Sequence, residues 1–518
     1  MNIGHAVLRN ARLYPNHPAI RFEGRDISHG VLAQRMRQLA GGLSARGVEP
    51  GTRVAMLAQN CPEYVELFGA AGLFGFTVVG LNYRLAAAEQ AAILSDCEPS
   101  VLIFDENHIE RALELSRGLP KETLFLCIGA KTPAWAQSYD ALVSTAQPVP
   151  AVAASDDNAT LLLCYTSGTT GRSKGVMLSN GGQFEQARVL GMAHQAGQDD
   201  RMLIVMPFYH IGGTTELLAY YLVGATIILH RAFDATEVLA SMQTHRVTSA
   251  HLAPTMIQMM LDVQRKTPYD VSTVKTICYA SAPMSIALSR EARGVFGPIF
   301  MQVYGMTEQG LGTVLYKHQH LPDGKPHEAR RMASAGQPMM GAEIRTVRED
   351  GSTCDDEEVG EVHIRSSVTM QGYWRNPEAT ASALSNGWLR TGDVGYFDNE
   401  GFLFICDRKK DMIISGGENI YSREVEEALL LHPAVAEAAV IGVPDEKWGE
   451  SVKAFVVLRP GATANADELI AHCRTMIAGY KRPRAVEFLS VMPRISSTNK
   501  IDKKTLRAPY WEGRERNV

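Results

Sequence analysis

The chain is 518 residues long, 45% hydrophobic and 21% charged, with a net charge of −5. That length exceeds the ~250–300 residues at which a single hydrophobic core stops growing, so at least two domains are expected. The charge excludes an electrostatic footprint for nucleic acid, because basic residues are scattered apart from local clusters such as "DRKKD" and "YKRPR". Eight cysteines occur without a CxxC spacing, several inside apolar runs such as "LFLCIG", which is how small buried hydrophobes are used in a reducing compartment. The N-terminal "MNIGHAVLRN" has no secretory pattern. The longest apolar stretch, "LLAYYLVGATIIL", is shorter than the ~20 residues of a membrane span and reads as a buried helix running into a buried strand. A soluble cytoplasmic protein without integral membrane contact is expected, and a homodimer is left open.

In chain order, "RVAMLAQN" reads as a strand, "PEYVELFGAAGLFG" as a helix, "TVVGLN" as a strand, "AAAEQAAILSDCEP" as a helix and "SVLIFD" as a strand. Further apolar runs follow in "LLLCY", "RMLIVMP", "ATIILH", "SAHLAP", "TVKTICYA" and "PIFMQVYG". This alternation predicts an α/β fold of largely parallel, helix-covered sheets, with ligands bound beyond the strand carboxyl ends. Those ends carry "TSGTTG", "PFYHIGG", "YASAP" and "YGMTEQG". From about residue 336, period-two strands with Asp/Asn/Gly turns predict an antiparallel subdomain. The last ~110 residues read as a small α+β domain able to fold alone, with Ser422 as the N-cap of its first helix. The expected division is 1–408 and 409–518. The histidines of "HQH" (318–320) and His327 lack an acid or cysteine at ligand spacing and are expected on an exposed loop.

The segment "TSGTTGRSKG" (166–175) directly follows a buried strand. It is not a Walker A loop, because Ser173 stands where that motif needs glycine before Lys174. Its chemistry nevertheless suits phosphate: glycines let backbone N–H groups converge on an anion, hydroxyls donate, and the lysine adds charge. The competing reading is a solvated turn.

"YTSGTTGRSKGVMLSN" resembles the signature loop of the adenylate-forming enzymes, a superfamily that includes acyl-CoA synthetases, peptide-synthetase adenylation domains and luciferases. Segments similar to the family's other motifs follow in order: "YASAP", "QVYGMTEQG", "GYWRNPEAT", "GWLRTGD", "DRKKDMIISGGENIYSREVE", "VPDEKWGE" and "PRISSTNKI". Together they span roughly residues 160–505.

The resemblance implies two half-reactions: a carboxylate attacks the α-phosphate of ATP to give an acyl-adenylate, and a thiol then displaces AMP. It implies that Thr166, Ser167, Gly168, Thr169, Thr170, Gly171 and Lys174 hold the β- and γ-phosphates, and that Glu308 holds Mg²⁺. Gln302, Tyr304, Gly305, Met306 and Thr307 would line the nucleotide pocket, with Ala282 and Pro283 beside the base. Asp393 would accept the ribose hydroxyls with Arg408 nearby. Lys500 would be the adenylation lysine, relieving repulsion between the two reacting anions. Thr166, Glu308, His210 and Lys500 are the implied catalytic set. Lys410 is the implied hinge of a mobile C-terminal domain, Gly416 and Gly417 flank a pantetheine path, and Trp448 either stacks on it or packs in the domain core. His210 is either a gate to the acyl site or a satisfied core histidine. Asn499, Ser173 and Asp407 depart from the usual residues without removing a charged group.

The acid site should draw on Phe208, Tyr209, Ile211, Met306, Leu311 and Val314, a mostly apolar set in a region that lacks aspartate but contains Glu216. An uncharged aryl or medium- to long-chain aliphatic acid is therefore expected, with coenzyme A as thiol co-substrate. Two alternatives remain: an enzyme loading an acyl carrier protein, and a non-catalytic nucleotide-binding protein on the same fold. No GxGxxG or GxSxG points to an oxidoreductase or a serine hydrolase.

Overall fold

The computed structural model describes residues 1–150, 156–166, 173–280, 284–495 and 500–512. They fall into two units: Met1–Ile344 with Ile364–Leu389, and Arg345–His363 with Arg390–Val518.

The first unit contains two large sheets. In one, the strands Thr77–Gly80, Arg53–Leu57, Val101–Asp105 and Leu124–Ile128 run parallel, and the antiparallel pair Thr160–Thr166 and Lys174–Ser179 joins beside Thr77–Gly80. In the other, Thr226–Leu229, Arg201–Ile204, Ser249–Leu252, Thr276–Tyr279 and Phe300–Tyr304 are parallel neighbours. These strands are buried along most of their length, as is usual where both faces of a parallel sheet are covered. One core draws on both sheets, including Met56, Val78, Leu161, Ile204, Cys278 and Met301. The helices Pro62–Phe74 and Ile211–Val223 are buried along most of their length, as expected of helices apolar on all sides. Gly224, at φ +85°, ends the second of these and allows the turn into Thr226–Leu229.

A five-stranded antiparallel sheet follows. Its hairpin of Trp388–Phe397 and Leu403–Arg408 sets Asp393 opposite Arg408. In the C-terminal portion, Val435–Asp445 and Gly449–Leu458 form a long antiparallel pair. The period-two pattern separates its faces: Ala438 and Val440 enter one cluster with Val425 and Leu469, whereas Ala439 and Ile441 enter another with Phe455 and Leu506. The architecture is the expected one of parallel sheets, an antiparallel subdomain and an α+β C-terminal domain. Among the described residues no helix is long and apolar enough to cross a membrane, and all eight thiols are free.

Two local expectations are corrected. His318 and His327 are exposed as expected, but His320 is fully buried, with Nε2 2.9 Å from the Tyr279 hydroxyl and Nδ1 3.0 Å from the Tyr316 carbonyl oxygen. The N-cap of Ser422–Leu430 is Tyr421 rather than Ser422. Ser422 is held one position further in, because its N–H donates to Asp407 and its hydroxyl accepts from the Lys503 ammonium at 2.6 Å.

Candidate active site

The register of the first hairpin places Thr166 opposite Lys174. The two residues form the base from which the glycine- and threonine-rich segment departs. Ser167, Gly168, Thr169, Thr170 and Gly171 lie outside the described residues, as do Ala282 and Pro283. The Lys174 ammonium sits 4.8 Å from the centre of the Tyr373 ring, and the Tyr373 hydroxyl donates to Glu308 Oε1 at 3.0 Å. Lys174 and Glu308 are thus joined through an aromatic side chain. Burial, and then the Glu308 charge, raise the Tyr373 pKa far above its ordinary value, so this hydroxyl remains a donor. A buried carboxylate oriented by a hydroxyl is a hard-oxygen donor set, the chemistry Mg²⁺ prefers.

Glu308 follows the strand Phe300–Tyr304 in a turn in which Gln309 N–H and Gly310 N–H donate to the Met306 carbonyl. Gly310, at φ +72°, allows that turn. Met306 and Thr307 lie half-buried in it, beyond exposed Gly305. Gln302 is buried and accepts from the Tyr279 hydroxyl at 3.0 Å, while Tyr304 pairs with Thr313 at the strand end. His210 is the N-cap of Ile211–Val223, its Nδ1 accepting from Gly212 N–H at 3.1 Å.

Three of the remaining residues converge within the second unit. Arg408 Nε lies 2.7 Å from Asp393 Oδ1, and the Asp393 side chain is only 4% exposed. Lys500 is exposed over its residue as a whole, yet its ammonium feels both groups: desolvation and the Arg408 charge lower its pKa, against an opposing pull from Asp393. The Lys500 carbonyl accepts from Ile495 N–H at 2.8 Å.

Lys410 is exposed in the short 3₁₀ turn Lys409–Asp411. The next residue is anchored: Asp411 meets Arg507 at 2.9 Å, and Lys503 meets Glu426 at 2.7 Å. Although burial opposes ionisation, Lys503 and Arg507 hold the Asp411 carboxyl below its usual value. Gly416 (φ +63°) donates its N–H to the Trp448 carbonyl at 2.8 Å, and a Cβ there would stand 2.7 Å from the indole ring. Gly417 (φ +85°) faces open space. Cations flank the Trp448 ring, Lys447 at 4.8 Å and Arg484 at 5.1 Å.

The sequence profile of the AMP-binding enzymes matches residues 7–374, and that of the AMP-binding enzyme C-terminal domain matches residues 424–499. The chain is 38% identical over 511 residues to a feruloyl-CoA synthase of Amycolatopsis sp., covering 98% of this chain and 99% of that one. It is 37% identical over 515 residues to an indoleacetate–CoA ligase of Aromatoleum aromaticum, covering 98% of each. Among solved structures, o-succinylbenzoate-CoA synthetase from Bacillus subtilis in complex with its acyl-adenylate intermediate matches with a TM-score of 0.85 and 32% identity over 97% of both chains. The same enzyme in complex with ATP and magnesium ion matches with a TM-score of 0.84 and 32% identity, over 96% of this chain and 98% of that one. The chain therefore belongs to the AMP-binding enzymes, the adenylate-forming superfamily, and is an acid–thiol ligase of the AMP-forming type.

Proposed function

We propose that the protein joins an acid with an aryl or apolar aliphatic body to coenzyme A in two half-reactions that consume ATP. The observation that carries this reading is the convergence of Lys500 with Asp393 and Arg408. The Lys500 ammonium responds to the Arg408 and Asp393 charges, so it acts on anions bound near the carboxylate proposed to grip the ribose. The aryl preference draws support from relatives named for feruloyl and indoleacetate substrates.

Mg²⁺, when bound with ATP, neutralises phosphate charge. Glu308, oriented by Tyr373, would offer its oxygens to the metal, and Lys174 would face the phosphates beside the Thr166 strand end. Arg408 fixes the orientation of Asp393 for the ribose hydroxyls. Lys500 sits between the incoming carboxylate and the α-phosphate, so that the new O–P bond forms as pyrophosphate departs. Between half-reactions Lys410, at the head of a domain spanning 409–518, acts as the pivot. The thiol then approaches along Gly416, Gly417 and Trp448, and its sulfur bonds to the acyl carbon as AMP leaves.

A panel of carboxylic acids assayed for pyrophosphate release, with and without CoA, tests this directly. Release that depends on an aryl or apolar acid, with thioester formed when CoA is supplied, is expected. Release with no acid, or acyl transfer only to a phosphopantetheinylated carrier protein, would overturn the CoA-ligase reading.

A further inference from the structure

The buried acids of two helices in the first unit are treated differently. Glu66 on Pro62–Phe74 is matched by the Arg35 guanidinium and by the Tyr139 hydroxyl at 2.8 Å. Glu216 on Ile211–Val223, its side chain 3% exposed, has no basic partner bonded to it in this way. Its Oε1 lies 3.6 Å from both His194 Nε2 and His251 Nδ1, beyond hydrogen-bond reach. Glu216 Oε2 and both of those nitrogens are buried without a hydrogen-bond partner. The Cys278 thiol, level with His251 on the neighbouring strand, closes the cluster. A buried polar group left without a partner is destabilising, so three in one place call for an occupant that completes them.

The cluster borders the region expected to receive the acid. A Cβ at Gly212 would stand 3.3 Å from both His210 Nδ1 and His251 Cε1, so the cluster begins where His210 caps its helix. Phe208 and Leu217 belong to the same apolar core as Cys278, with Ile211 and Met306 packed against that core. Desolvation raises the Glu216 carboxyl to about 8 and lowers His251 and His194 to about 4 and 3. All three are therefore uncharged near neutral pH, a set that suits a neutral polar group better than a second carboxylate.

We propose that Glu216 and His251 are specificity-determining residues that hydrogen-bond a neutral donor, a hydroxyl or ring N–H, at the far end of an aryl acid. The proposal rests on the acid-activating reading given above. A site built to hydrogen-bond a substrate group rejects the analogue lacking it, because its own buried groups are then left unpaired.

The test compares 4-hydroxycinnamate with cinnamate, and 4-hydroxyphenylacetate with phenylacetate, as kcat/KM for pyrophosphate release. In at least one pair the wild type should favour the hydroxylated acid by about 10²-fold or more, and Glu216→Leu should bring that ratio within about threefold of unity. Glu216→Gln, which still donates and accepts, should keep part of the preference. Should Glu216→Leu fail to fold, His251→Phe reads the same ratio. A wild-type ratio near unity in both pairs, or one unchanged by these substitutions, overturns the proposal. So does one transition-metal ion per chain that Cys278→Ser removes, because the cluster would then be a cation site. If no acid elicits pyrophosphate, the ligase reading fails by itself. Calorimetric binding of the same acid pairs to wild type and Glu216→Leu then decides the pocket chemistry: a preference lost in the variant supports it, and equal affinities refute it.

Discussion

At the scale of single residues, Glu216 stabilises the fold only while protonated. Burial raises its pKa from 4.5 to about 8, so between those values the folded chain keeps a proton that the unfolded chain releases. Stability contributed by this group is full below about pH 4.5, falls as pH rises, and is lost above about pH 8. The buried neighbours His194, His251 and Cys278 add no compensating cation, since the same burial keeps them neutral. Glu216→Gln should therefore gain in Tm relative to wild type as pH rises through this window, and parallel Tm curves would contradict burial of the neutral acid. Gly416 makes a second such test. Both Gly416 and Gly417 hold positive φ, which costs a residue with a Cβ about 1–2 kcal/mol, but only at Gly416 would that Cβ meet Trp448. Thermal denaturation should find Gly416→Ala less stable than Gly417→Ala, whereas equal losses would mean that the indole yields freely.

Between elements, the half-buried cation Lys503 ties the helix Lys503–Trp511 to Ser422–Leu430 through Glu426 and the Ser422 hydroxyl. Lys503→Met leaves Glu426 and nearby Asp411 short of positive charge in a dehydrated setting. The expected loss is roughly 3–5 kcal/mol in denaturant unfolding, and a loss under about 1 kcal/mol would mean that water replaces the lysine. Lys503 was not singled out from sequence, and the reason is physical. Apolar runs such as "TICY" and "LFLCI" announce strands because burial on both faces leaves no choice of residue type. Polar side chains, by contrast, take their meaning from partners supplied by distant elements. Tyr373 lies in the quoted "GYWRNPEAT", yet its bond to Glu308 spans 65 residues. Glu216 was visible as an acid, but its neighbours come from another helix and two strands. His320 read as loop because "HQH" is polar, and it is buried because two tyrosines meet its ring nitrogens. Asp393 and Arg408 were named together only through the family resemblance, fifteen positions apart, and the hairpin register is what pairs them.

For the whole molecule, the proposed exchange of surfaces at Lys410 makes the two half-reactions separable. Proline fixes φ and removes an N–H, so Lys410→Pro should hold adenylation within about tenfold of wild type while slowing thioester formation by about 10²-fold or more. Undiminished acyl transfer to CoA would exclude a pivot there. The complementary change bears on Lys500. In Lys500→Ala, acid-dependent pyrophosphate release should fall by at least about 10²–10³-fold. The same protein, given preformed acyl-adenylate and CoA, should make thioester at close to the wild-type rate. Equal loss in both half-reactions, or pyrophosphate release that persists without the lysine, would contradict the assignment of the Lys500 cation to the first step.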